Sequence, residues 1–206
     1  MIYSEDFVWL HFPKCAGVKI ESIFKAYYSS NRNIFQDTVD PRIDPSGTWH
    51  DSITDREKRD PSFTLGNRTI ICSFRRLPYW LESRYSFEVQ RSPDLNHQPE
   101  LLLEGKFLEQ SGLENHADFY AKKYVPDRIL GSSKLRFIRT EHFESDFMRI
   151  FGEFLDVKII PSWEFSKRIN TSQSALPDKI KEQLLQQQQV YAKCPYWKKV
   201  EDIAYR

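Results

Sequence analysis

The chain has 206 residues and 24.6 kDa, with 30 Lys+Arg against 29 Asp+Glu for a net charge of +1, and 40% of its residues are hydrophobic. That balance removes a global electrostatic case for nucleic acid or an anionic membrane surface as partner, and the apolar content excludes a disordered chain. No run approaches the ~18 apolar residues of a membrane span, and the N-terminal MIYSEDFVWLHF lacks a basic stretch followed by an apolar one, so a single cytoplasmic domain over residues 1–206 is expected.

In chain order, Phe7 to Phe12 is a short apolar run of strand formers that enters Pro13-Lys14-Cys15-Ala16-Gly17 at once, after which Ile20, Ile23, Phe24 and Tyr27 recur at helical spacing. The segment reads strand, tight loop, helix. Residues 30 to 66, rich in Asn, Asp, Pro, Ser and Gly, read as long connecting loops, which inside a domain are usually functional. Thr69 to Phe74 repeats the strand pattern and runs into Arg75-Arg76-Leu77-Pro78, with Pro78 suited to a helix first turn and Leu81, Arg84, Tyr85 and Glu88 continuing it. A polar insert from Gln90 to Asn115 is expected to carry a short helix over Glu100 to Glu109, followed by a helix from Ala117 to Tyr124 and a third strand from Leu135 to Ile138. Phe143, Phe147, Ile150, Phe151 and Phe154 mark an amphipathic helix, Val157 to Ile160 a short edge strand, and 177–192 a final helix. Strands alternating with helices imply an α/β three-layer sandwich around a mainly parallel sheet.

In such sheets ligands bind beyond the carboxyl ends of the strands, where loops meet helix N-termini. At the first corner, Gly17 lets the backbone approach a ligand, the helix start offers free N–H groups, and Lys14 adds a full charge, which together suit a phosphate. A nucleotide loop of the GxxxxGK[ST] type is excluded. Lysine precedes the glycine here, Val18 and Lys19 follow it, and the second strand ends in Arg75-Arg76 where a metal-holding aspartate would stand. Two cationic corners suggest a ligand with a second phosphate group, bound without magnesium. The cysteines Cys15, Cys72 and Cys194 are odd in number and lack zinc spacing, so they read as reduced, buried thiols, and no metal site is expected. His97, His116 and His142 read as surface residues, His11 as a structural histidine, and Trp80 as core unless it turns outward to stack on an adenine or a sugar.

The run His11-Phe12-Pro13-Lys14-Cys15-Ala16-Gly17 resembles the phosphosulfate-binding loop of the sulfotransferases, and Phe74 to Ser83 resembles their 3′-phosphate motif, an arginine at a strand end with a serine eight residues on. Phe137 to Phe143 with Asp146 is similar to the family's late strand and helix start, and Arg168-Ile169-Asn170-Thr171-Ser172 to its cofactor-covering segment. The resemblance spans about residues 7 to 172, in family order. It implies a nucleotide-loop-like fold, the cofactor 3′-phosphoadenosine 5′-phosphosulfate, and sulfuryl transfer to an acceptor hydroxyl, with a carbohydrate one acceptor that would suit. In that reading Lys14 faces the leaving phosphate, and Lys14, Cys15, Ala16, Gly17, Val18 and Lys19 line the loop. Arg75 and Ser83 hold the 3′-phosphate, and Asn170 and Ser172 cover the cofactor. Val18, Lys19 and Cys15 stand where the family carries hydroxyl residues. His50, in Gly47-Thr48-Trp49-His50-Asp51, is the candidate base for the acceptor, with Asp51 the alternative. A catalytically inactive nucleotide-binding or scaffold protein of the same fold is the second reading. A magnesium-dependent kinase, requiring a carboxylate such as Asp51 at the metal, is the third.

Overall fold

The computed structural model describes residues 1–37, 42, 47–167, 174–186 and 188–206. The chain gathers into two compact units, Met1–Phe74 with Arg128–Ile169, and Arg75–Asp127 with Asn170–Arg206.

The first unit is built on a five-stranded sheet. Its strands are β1 (Ile2–Tyr3), β2 (Phe7–Leu10), β3 (Phe35–Gln36), β4 (Thr69–Phe74) and β7 (Leu135–Arg139), in the spatial order β3-β1-β2-β4-β7. The three apolar runs legible in the sequence form its parallel part, with Phe7 opposite Thr69 and Phe74 opposite Arg139. The sheet is mixed rather than mainly parallel, because β1 pairs antiparallel with both β2 and β3. The tight turn between β1 and β2, closed by Ser4 N–H to the Phe7 carbonyl at 2.9 Å, permits only a hairpin, since a parallel neighbour needs a long crossover.

Helix α1 (Gly17–Tyr27) follows β2, and α6 (Phe143–Phe151) follows β7. Ile20, Ile23 and Phe24 of α1 and Phe147, Ile150 and Phe151 of α6 share one core with Phe7, Trp9, Ile71 and Ile138 of the sheet. Val8, Leu10, Ile70 and Cys72, on the opposite face of the strands, are equally buried. Burial on both faces is why these strands read as unbroken apolar runs instead of alternating ones. Within the sheet the Trp9 indole donates to Ser73 Oγ at 3.0 Å, satisfying the one polar atom of a fully buried ring.

Two sequence expectations in this unit change, and one helix is unforeseen. The stretch 30–66 holds the short β3, a 3-10 turn at Thr48–His50 and a helix, α2 (Ile53–Arg59), whose Ser52 and Asp55 form a reciprocal cap. Val157–Ile159 is a 3-10 turn and not an edge strand; Asp156 accepts from Lys158 N–H and starts the turn. A short helix, α7 (Ser162–Ser166), adds Phe165 to the core.

The second unit comprises α3 (Leu77–Arg91), a hairpin of β5 (Lys106–Leu108) with β6 (Glu114–His116), α4 (Ala117–Tyr124), α8 (Asp178–Leu185), α9 (Gln188–Lys193) and α10 (Pro195–Ala204). Helix α5 (Asp127–Leu130) stands where the chain passes from one unit to the other. The expected helix over Glu100–Glu109 is instead a 3-10 segment, Pro99–Glu104, stopped by Gly105 in the left-handed region before β5 begins. Trp80 is fully buried, packed on Trp197 at 4.6 Å and on Tyr120 at 5.5 Å between ring centroids, so it offers no stacking surface. The neighbouring Tyr79 is the exposed ring of that helix. The expected final helix 177–192 runs as α8 and α9, with α10 unforeseen beyond them. Among the described residues no helix is long and apolar enough to cross a membrane.

Phe147 is fully buried between Phe24, Phe151 and Phe165. Phe147→Ala should therefore lower unfolding free energy by about 3–5 kcal/mol. Urea denaturation followed by tryptophan fluorescence measures it, and a loss under 1 kcal/mol would contradict this core.

Candidate functional site

The corner between β2 and α1 is the most unusual backbone in the first unit. Lys14 (φ 65°) and Ala16 (φ 61°) both lie in the left-handed region, while Cys15 between them and Gly17 after them do not. Such alternation turns successive N–H groups into one concavity, a geometry that accepts anions. Each left-handed non-glycine residue costs about 1–2 kcal/mol, so the surroundings must hold the loop in place. Cys15 N–H bonds the Phe12 carbonyl at 3.3 Å, and the Ala16 carbonyl accepts from Lys19 and Ile20 N–H at 3.1 and 3.3 Å. No acidic residue stands in the first turn of α1. Lys14 is half-buried, Cys15 buried and Val18 exposed. The Lys19 ammonium donates to the Phe165 carbonyl and sits 4.8 Å from the centre of the Phe143 ring, and burial lowers its pKa.

Beneath the loop lies His11, whose imidazole explains Gly17 differently from the sequence. A Cβ on Gly17 would fall 1.9 Å from His11 Nε2, so the glycine makes room for that ring rather than for a ligand. His11 Nδ1 meets Glu21 Oε1 of α1 at 2.6 Å, and its ring stacks on Trp9 at 5.4 Å. His50, the candidate base, lies beside it: the ring centroids are 4.4 Å apart and His50 Nδ1 is 3.2 Å from the His11 carbonyl. A carbonyl only accepts, so Nδ1 carries the hydrogen and the lone pair of neutral His50 is on Nε2.

The turn bearing His50 is held by buried charges. The Met1 ammonium bonds Asp37 and the Trp49 carbonyl, both at 2.9 Å, and Arg56 bonds Asp37 and the Thr48 carbonyl. Asp51 is paired with Arg56 at 3.2 Å and with Arg59 at 3.0 Å. Burial dominates the titration of this cluster. It drives His11 and His50 down to about 3, the His50 shift being reinforced by His11, and it raises Glu21 to about 7. His50 is consequently neutral over the whole physiological range, and an activity profile following an ordinary imidazole pKa is not expected from it.

Arg75 and Ser83 belong to the second unit. Arg75 is half-buried ahead of α3, and Ser83 is half-buried on that helix. Its neighbour Arg76 is engaged with Glu201 at 3.4 Å and lies over the Tyr205 ring at 4.3 Å, and the Leu77 N–H donates to Glu201 at 3.0 Å. Asn170 and Ser172 lie outside the described residues. The three cysteines are buried thiols outside any disulfide. His97 is buried and bonds the Ser92 carbonyl at 2.7 Å, contrary to a surface position, whereas His142 is exposed.

Sequence spacing misses one group: His116, Asp118 and Cys194 bring their ligand-type atoms within 4.8 Å of one another in the second unit. They meet because α10 begins where α4 begins, a contact that no local pattern encodes. His116 Nδ1 accepts from Asp118 N–H at 3.1 Å, and the Asp118 carboxylate accepts from Tyr196 and Trp197 N–H at 3.0 and 2.7 Å. Two of the three thus already serve as helix caps.

Gly17→Ala forces a Cβ into the His11 ring and should cost about 1–3 kcal/mol, read as a lowered urea midpoint. An unchanged midpoint would mean that the ring moves aside freely. For pH, His11 and His50 are depressed from 6.5, so their contribution to stability is complete above 6.5 and lost as pH falls towards about 3. Glu21 is raised from 4.5, so its contribution is complete below 4.5 and lost as pH rises through about 7. The two trends oppose each other from 6.5 to 4.5, and below 4.5 Glu21 no longer offsets the histidines. Stability should therefore fall steeply there, and His50→Gln should reduce the slope by about one proton, ~1.4 kcal/mol per pH unit. Equal slopes for the two proteins would exclude a buried neutral His50.

No protein-family model, no curated protein and no solved structure matches this chain.

Proposed function

We propose that the chain is a sulfotransferase that moves a sulfuryl group from 3′-phosphoadenosine 5′-phosphosulfate to an acceptor hydroxyl, a carbohydrate being one acceptor that would suit. The observation that carries the reading is the left-handed Lys14–Ala16 loop between a parallel strand and a helix start, with a lysine in it and no carboxylate in the helix's first turn. In this reading the N–H groups of the loop and helix start other than that of Cys15, which bonds the Phe12 carbonyl, meet the phosphosulfate in place of the missing hydroxyls at Val18 and Lys19. The bound cofactor supplies an activated sulfuryl group whose departing phosphate gathers negative charge. Lys14 neutralises that charge without a metal. Arg75 and Ser83 hold the 3′-phosphate, arginine by paired charge-assisted hydrogen bonds and serine by its hydroxyl. His50 takes the acceptor's proton at Nε2, the nitrogen that keeps the lone pair when Nδ1 donates to the His11 carbonyl.

The kinase reading loses its metal ligand, because Asp51 is buried between Arg56 and Arg59. The inactive nucleotide-binding reading is favoured by a single feature, the commitment of Lys19 to Phe165 and the Phe143 ring.

Saturating 3′-phosphoadenosine 5′-phosphate, at a hundred times its Kd, should add about 2.7 kcal/mol and raise Tm by about 5–10 °C, while ADP with magnesium should not. Arg75→Ala should abolish most of this rise. Mass spectrometry of glycans incubated with the sulfated cofactor should show a sulfate added by the wild type and lost in Lys14→Ala. No stabilisation by the bisphosphate would end the reading, and stabilisation without transfer to any hydroxyl acceptor would select the inactive protein.

A further inference from the structure

Of the buried groups in the first unit, the proposed reaction uses His50 but leaves Glu21 and His11 without a task. We propose that the Glu21–His11 pair is the positioning and electrostatic partner of His50, orienting its ring and stabilising the imidazolium it becomes on taking a proton. The inference rests on the reading of His50 as the base and deepens it.

Three contacts converge on His11. Its carbonyl receives His50 Nδ1–H at 3.2 Å, its Nδ1 shares a proton with Glu21 Oε1 at 2.6 Å, and its ring lies against Gly17 at the start of α1. One residue therefore ties the base, the anion loop and a buried carboxylate together. Among the described residues the Glu21 carboxylate hydrogen-bonds to His11 alone, and it is buried. Around the Thr48–His50 turn the Met1 ammonium and Arg56 are both bound to Asp37, and Arg56 and Arg59 are bound to Asp51. Glu21 is a buried carboxylate placed to answer a positive charge on His50, and its field acts through a histidine ring 4.4 Å from the base. Glu21 favours the charged form of His50, while His11 and the Met1 ammonium oppose it. No proton passes from substrate to the pair. The acceptor's proton stops at His50 Nε2, and the pair supplies only a fixed bond and a negative charge.

The test is a ¹⁵N-histidine NMR titration of the full chain from pH 5 to 9, with His50→Gln assigning the signals. In the wild type, His50 should be the Nδ1–H tautomer, and its ring signals should show an inflection near pH 7 as the Glu21–His11 pair loses its proton. Glu21→Gln, which keeps the shape and can still hydrogen-bond, should abolish that inflection. Glu21→Asp should restore it. A purely structural carboxylate would leave the His50 signals flat through this range in the wild type, which overturns the proposal. So would an Nε2–H tautomer of His50, or an inflection that survives in folded Glu21→Gln. If Glu21→Gln does not fold, the wild-type tautomer and inflection decide alone. Stabilisation by the bisphosphate is measured separately. Coupling without it would sink the sulfotransferase reading and keep the pair, whereas stabilisation without coupling would do the reverse.

Discussion

A single imidazole sets the local architecture of the first unit. His11 ends the run that begins as β2, and its ring fills the space between that strand, the first turn of α1 and the Thr48–His50 turn. A side chain larger than glycine at 17 collides with it, a carboxylate at 21 satisfies its Nδ1, and a tryptophan at 9 covers its face. Close packing makes such a ring an all-or-none constraint: it holds two left-handed non-glycine residues just above it, at a cost that neither Lys14 nor Ala16 would bear in a free loop.

The same burial shapes the charges. The His50 turn carries few apolar groups of its own, yet it is anchored by the Met1 ammonium and Arg56 reaching its carbonyls. Each cation is matched by Asp37 or Asp51, since an unmatched charge at that depth would be costly. Burial keeps both histidines neutral, with the Glu21 carboxyl beside His11. Burial therefore holds the proton affinity of His50 low, with the lone pair set on Nε2 by the Nδ1 bond to the His11 carbonyl. In the proposed reaction such a group serves as base only where a neighbouring negative charge supports the proton it accepts.

In the second unit carboxylates play a different part. Asp118 caps α10 and Glu201 meets the first N–H of α3, so two helix starts are answered by acids from the protein itself. The start of α1 has no acid in its first turn. That contrast, more than the glycine, is what supports the proposal of an external anion at the Lys14 corner.

The three parallel strands, the helices that follow them and the buried thiols were legible in the sequence because each depends on local pattern: apolar runs of strand length, recurrence at 3.6 residues, and a proline at a helix start. The loop lysine and the histidine at 50 were legible as chemistry but not as geometry. Only the tertiary structure decided that Gly17 yields to His11, that His50 lies beside it, that Asp51 is spent on two arginines, and that Trp80 is core. It also decided that β1 turns back to make the sheet mixed, from two residues too short to show any period. These outcomes depend on which residues meet in space, as His11 meets His50 and Trp80 meets Trp197, and on the desolvation that follows, which no local spacing records.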